Sequence, residues 1–464
     1  MIRSLIVVFL ITGWLTSCQQ IKDTKPKNTF LATLMTLDPG HFHSALVQKN
    51  MYPEVDSTAY VYAPEGDDVK MHLAKIDQYN NRADNPTHWH EVVYTGPDFA
   101  EKMFAEKPGN IMVVAGNNQK KTNYILRAVQ DSINVYADKP MAIKGENYET
   151  LKEAFKIADK NGVFIYDIMT ERFEITTLLQ RRLSQFSTIF GEVAESTPDN
   201  PAITKESVHH FSKIVSGNHL IRPAWFFDVE QQGAGIVDVS THLVDLIMWS
   251  LYPKTNLKPA DAEVVKARQW ATDLTPQQFK KVTGLDEYPD YLQKDVIKDS
   301  ILHVYSNGET IFKLRDKYGK SSVIWNFEAP PGSQDTHYSI FRGTKSDLVI
   351  RQDSSTNFQP TLFVEPHGNF DQEQWQTTLK TALDMVHKEW PNVDSHYTDN
   401  KFIIDIPDKY KIGHEAHFTQ VTKKFLSYLK NGSIPQWEKD FMLTKYFITT
   451  SAYEKSLKNN QEKM

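Results

Sequence analysis

Short, continuous apolar runs, each followed by a turn and a helical pattern, constrain this chain more than any other feature. Phe30–Leu37 (FLATLMTL), Asn110–Ala115 (NIMVVA) and Ile133–Ala137 (INVYA) are of strand length and carry almost no polar alternation. A strand of that kind is covered on both faces, the condition of parallel strands held between helices. Helical patterns follow in Ser44–Tyr52, Lys120–Gln130 and Glu149–Asn161, and Ala59–Ala63 and Val163–Asp167 add further strands. The alternation predicts an α/β fold that begins with a Rossmann-like, doubly wound parallel sheet over residues 29–165.

The pattern changes in the second half. Ala260 to Asp299 reads as a polar, helical insertion. In Ile301–Leu314, Asn307-Gly308 sits between apolar runs, a hairpin signal. Ser321–Phe327, His337–Arg342 and Leu348–Arg351 continue as a meander. Residues 166–464 are therefore expected to form an α+β domain with an open, mostly antiparallel sheet. The amphipathic helices Gln372–Glu389, His414–Asn431 and Phe441–Asn459 follow, and the last are expected to pack back on the first domain.

The N-terminus reads as an address. Arg3 precedes an apolar run, Leu5–Trp14, that is too short to span a bilayer, and then comes Leu15-Thr16-Ser17-Cys18. Residues 1–18 resemble a bacterial lipoprotein signal, with Cys18 as the lipidated residue and 19–28 as a polar tether. Cys18 is the only cysteine, which excludes an internal disulfide and cysteine-based catalysis in the body of the protein. The expected location is the cell envelope, periplasmic or surface-facing, with a lipid anchor as the only membrane contact. A net charge of −6 without a long basic block excludes nucleic acid as a partner. A homo-oligomer is left open.

Titratable residues cluster in a few places. In Gln231–Trp249, Gly233 and Gly235 open an apolar run that carries Asp238, His242 and Asp245 at i, i+4 and i+7, one face of a helix. Buried charges are costly unless paired, so such a stripe marks a site or a set of satisfied core groups. Lys139 ends a strand at the edge where α/β folds place ligands, and Pro140 restricts its backbone. Asp38-Pro39-Gly40-His41-Phe42-His43 ends the first strand. Its single glycine departs from G-x-G-x-x-G, although a helix N-terminus there would still offer amides to a pyrophosphate. Glu65 lies 25 positions beyond Gly40, where an acid would bond a ribose hydroxyl. No arginine follows it, which favours NAD over NADP. His41/His43 and His88/His90 are two H-x-H pairs, but neither has a carboxylate at a familiar spacing, so no metal is assigned.

Two of these motifs resemble the Gfo/Idh/MocA oxidoreductases. Residues 111–143, IMVVAGNNQKKTNYILRAVQDSINVYADKPMAI, are similar to the second half of that family's nucleotide domain. There E-K-P ends the strand and its lysine is catalytic; here Asp138 replaces the Glu, and Lys139 and Pro140 match. The family's D-x-G-x-H-x-x-D resembles Asp238, His242 and Asp245, with Ser240 in the glycine position. The resemblance implies an NAD-dependent oxidoreductase acting on a sugar, glycoside or polyol hydroxyl, with tightly held cofactor. It implies Lys139, His242 and Asp238 as catalytic residues. Asp38, Gly40, His41, Phe42, His43, Glu65, Asn117, Asn118, Asp138 and Lys139 would border the cofactor, and Arg172, Arg222, Trp225 and Asp245 the substrate. An NAD-dependent glycosidase and a non-catalytic sugar-binding lipoprotein are the alternatives.

Overall fold

The computed structural model describes residues 31–215 and 218–461; the signal, Cys18 and the tether lie outside them. Six strands form a parallel sheet: β1 (Leu34–Leu37), β2 (Thr58–Ala63), β3 (His90–Thr95), β4 (Ile111–Val114), β5 (Asn134–Asp138) and β6 (Ile165–Ile168). Their order is β3-β2-β1-β4-β5-β6. The winding reverses between β1 and β4, and a crevice opens there beyond the strand ends. Helices α1 (His43–Leu46), α2 (Asp67–Asn81), α3 (Phe99–Glu106), α4 (Lys121–Gln130) and α5 (Gly145–Asn161) connect the strands. β6 pairs with β5 and all four of its residues are buried. The first unit therefore runs past residue 165 to Ile168.

The second sheet has ten strands and is mostly antiparallel. At its centre β7 (Ile203–Ser212) pairs antiparallel with Thr336–Arg342 and parallel with Lys317–Glu328. Helices α6 (Ile175–Leu183) and α7 (Ser240–Leu251) pack against it around Leu179, Leu183, Ile203, Val244, Ile247 and Phe312. α7 is buried along its whole length, which explains why its apolar residues show no clear polar face.

Two expectations fail here. Ala260 to Asp299 is not a helical insertion: Ala262–Leu274 is a 13-residue strand paired with Ile301–Leu314. Only Pro276–Thr283 (α8) forms an α-helix in that stretch. The strand is at the sheet edge and largely half-exposed, so its charged residues mask the alternation. Nor do Asn307-Gly308 turn a hairpin, because Ile301–Leu314 is one unbroken strand. Gly308 is there for space, since a Cβ would stand 2.5 Å from Ile236 Cβ. Asn307 holds the irregular edge, donating to the Trp270 carbonyl and to Thr272 and accepting from the Trp325 amide.

After α9 (Gln372–Val386), the chain ends in α10 (His414–Asn431) and α11 (Gln436–Gln461). Phe418, Val421, Phe425 and Tyr446 of these helices belong to the core of the first domain. Phe425 stacks on both Tyr136 and Tyr166. Among the described residues no helix is long and apolar enough to cross a membrane.

Candidate active site

The crevice is built from the ends of β1, β4 and β5 and from the stretch that leads into α7. Gly233 takes φ +94°, and a Cβ on Gly235 would meet the Ser306 carbonyl oxygen at 1.7 Å. Gly235 lets the stretch lie against Ile301–Leu314, and Gly233 lets it approach Ile143. α7 starts at Ser240, so Asp238 lies in the turn before the helix, and its amide donates to the Ala234 carbonyl. Lys139, from the end of β5, donates from Nζ to Asp238 Oδ1 at 2.6 Å. Both side chains are close to buried.

His242, in the first turn of α7, is buried, and among the described residues its Nδ1 has no partner. Burial, reinforced by the charge of Lys139, pushes its pKa down to about 3, so the ring is neutral. Glu171 accepts from His414 Nδ1 at 3.2 Å. Burial raises the Glu171 carboxyl, but the hydrogen bond and charge of His414 outweigh it, and the group stays ionised. His417 Nδ1 is also buried without a partner. Glu171, His414 and His417 escape the sequence reading. The i, i+3 histidines of H-E-A-H were the available signal.

At the first turn, His43 Nδ1 lies 2.9 Å and His41 Nδ1 3.7 Å from Asp138 Oδ2. Burial, above all, keeps both imidazoles neutral, while His43 and Lys121 hold the Asp138 carboxyl ionised against its own burial. Lys121, also missed, is wholly buried and donates to the Asp138 carbonyl at 3.0 Å. Burial lowers its pKa to about 8. The pair His88/His90 is exposed on either side of buried Trp89.

Several candidates are placed elsewhere. Arg172 is not open to substrate: its guanidinium grips Asp245 through two bonds of 2.6 and 2.7 Å and Glu438 at 2.7 Å. Asp245 also accepts from Lys445, so both members of the expected pair are consumed in a buried network. Arg222 is buried too, donating to the carbonyls of Phe211 and His210 and stacked on Phe226 and Trp325. These arginines satisfy protein groups because a buried guanidinium needs its donors filled. Trp225 donates to Asp68 Oδ2 at 2.9 Å and packs over Gly40. A cavity of about 20 Å³ reaches Asp238 between Phe226, Tyr305 and Trp325.

The expected pyrophosphate seat differs from its prediction. α1 has only four residues, and the amides of Gly40 and His41 both donate to the Ala115 carbonyl at 3.2 Å. Asp38 beside them is half-buried, and desolvation with Asp68 pushes its carboxyl up to about 6. Gly116 gives the close backbone approach instead, since a Cβ there would meet the Asp38 carbonyl at 2.4 Å. Asn117 and Asn118 are tied to Gln231 and Gln232 of the second domain. Phe42 and Glu65 are exposed at the rim. With the unclaimed Nδ1 of His242 and the Lys139–Asp238 pair, the crevice fits a nicotinamide group held by side chains, not by free amides of a glycine-rich turn.

Residues 179–457 match the family model described as "Putative oxidoreductase C terminal domain". A crystal structure from Parabacteroides merdae ATCC 43184, described as a putative oxidoreductase, is 50% identical. It superposes with a TM-score of 0.90 over 92% of this chain and 98% of that one. KijD10, a 3-ketoreductase from Actinomadura kijaniata solved with NADP and TDP-benzene as the Y186F mutant, has a TM-score of 0.55 at 13% identity. That match covers 91% of this chain and 97% of that one. Biliverdin reductase from Synechocystis sp. PCC 6803, solved with biliverdin and NADP+, reaches 0.56 at 10% identity, covering 92% and 99%. The last two share the fold. No curated protein matches the sequence.

Proposed function

The chain belongs to the family described by the oxidoreductase C-terminal domain, and from that premise we propose that it is a nicotinamide-dependent oxidoreductase acting on a hydroxyl of a sugar, glycoside or polyol. The observation that carries the reading is the meeting of Lys139 and Asp238 across the crevice at 2.6 Å, beside a neutral His242 with an unclaimed Nδ1. Nicotinamide, when bound, supplies the hydride acceptor; Glu65, Asn117, Asn118 and the Asp138–Lys139 end of β5 would border it.

Oxidation of an alcohol also requires removal of the hydroxyl proton and restraint of the oxygen as negative charge grows on it. The ammonium of Lys139 is placed to stabilise that charge, and Asp238 orients it. A base with a pKa of about 3 holds a proton weakly near neutrality. His242 is therefore poorly suited to keep the proton, which passes from the hydroxyl to the Asp238 carboxylate beside the Lys139 ammonium. The preference for NAD rests on Glu65 with no following arginine. The envelope location and lipid anchor rest on Cys18 and its neighbours.

A sugar-binding protein without redox chemistry is the second reading, favoured by the spent amides of Gly40 and His41. Mass spectrometry of the small molecules released on denaturing the protein separates the two. NAD or NADP near one per chain, with hydride transfer to or from a glycoside, supports the enzyme. Failure to retain or bind either nucleotide while binding sugar supports the alternative.

A further inference from the structure

The turn after β1 brings two imidazoles to a carboxylate that lies 95 residues further along the chain. We infer that His41, His43 and Asp138 form a binding site for one divalent first-row transition ion. The coordinating atoms of the three residues all lie within 4.8 Å of one another. Asp138 Oδ2 lies 2.9 Å from His43 Nδ1 and 3.7 Å from His41 Nδ1. Ligands at about 2.0–2.1 Å from a tetrahedral ion stand roughly 3.3–3.5 Å apart. The two separations bracket that spacing, so small side-chain rotations close the site around an ion.

The groups present the right atoms. His41 Nδ1 accepts from the His43 amide at 3.3 Å, a bond it gives up when its lone pair turns to the ion. Lys121 turns its ammonium to the Asp138 carbonyl, leaving the carboxylate for the ion. The His43 ring is held against Phe418, with centroids 4.7 Å apart. On ion binding His43 gives up its Nδ1 hydrogen bond to Asp138, and its proton moves to Nε2. Two imidazoles and one carboxylate suit zinc, cobalt, iron or manganese, and three protein ligands leave a position for water or a substrate oxygen. The site adjoins Lys139 in sequence, yet ion binding does not depend on the proposed hydride reaction.

Titration of the chelator-stripped full chain with Co²⁺, followed by its visible d–d absorption and by metal analysis after dialysis, tests the site. We expect one ion per chain. We expect at least about 100-fold weaker binding in His41→Gln and in Asp138→Asn, the second chosen to keep the shape of the buried group. Substitution of the exposed His90→Ala should change neither stoichiometry nor affinity. Co²⁺ binding that is absent, or is retained by both cluster variants while they remain folded by circular dichroism, overturns the inference. Nucleotide binding, read separately by NADH fluorescence, tells failure of the metal site from failure of the oxidoreductase reading.

Discussion

Two buried clusters of charge meet along α7 and the turn before it, and they are built to opposite rules. Around Asp245 every charge is answered. Arg172 bonds Asp245 and Glu438, Lys445 bonds Asp245 and Asp167, and Lys424 bonds Glu438. These pairs tie β6, α7, α10 and α11 together. Among the described residues the Asp238 side chain bonds only Lys139, and His242 is left with an open nitrogen. Unsatisfied buried polar atoms are costly, so a fold keeps them where a ligand completes them. The saturated cluster holds the domains; the unsaturated one is the candidate site.

That contrast can be broken by four measurements. The largest effect is expected from Lys139→Met, which should lower kcat/KM by about 10²–10⁴-fold. A variant that keeps wild-type turnover would remove Lys139 from the chemistry. Arg172→Met should instead destabilise the protein by about 3 kcal/mol, because the guanidinium's bonds to buried Asp245 and Glu438 are lost while Lys445 and Lys424 remain. Denaturant unfolding reads this, and the folded fraction should turn over within a few-fold of wild type. A third substitution, Gly308→Ala, forces a methyl against Ile236, at a cost of about 3 kcal/mol. It should displace the Asp238 turn and depress activity more than an equally destabilising change in the Asp245 network.

The smallest effect concerns acid. His242 titrates at about 3 in the folded chain and near 6.5 unfolded. Between those values the unfolded state binds more protons, so stability falls as pH drops below about 6.5. His242→Gln should remove about 2 kcal/mol of the loss between pH 7 and pH 5. Unfolding midpoints that shift equally in both proteins would show that His242 is not buried neutral.

The parallel sheet was legible because both-face burial leaves a mark on each strand: LMTL, IMVV and NVYA are apolar without alternation. The edge strand Ala262–Leu274 was not, because exposed edges tolerate charge. Gly308 misled for a different reason. A glycine looks the same in sequence whether it turns the chain or makes room for a neighbour 72 positions away, here Ile236. At the site, Lys139, Asp238 and His242 stood out as charges at strand and helix ends with fixed spacing. Glu171 and His414 did not, since each meets its partner 243 residues away.

The sequence by itself determined the kinds of element, their order, the crevice end of the first sheet and the residues most costly to bury there. Local periodicity and turn chemistry act over a few residues, and these features need nothing more. Only the tertiary structure decided which buried charges are consumed and which stay open. It sent Arg172 and Asp245 to each other, closed the amides of the first turn on Ala115, and set His41 and His43 beside Asp138. Pairing of that kind joins segments 73 to 95 residues apart, as in Arg172–Asp245 and His43–Asp138, and no local pattern encodes it.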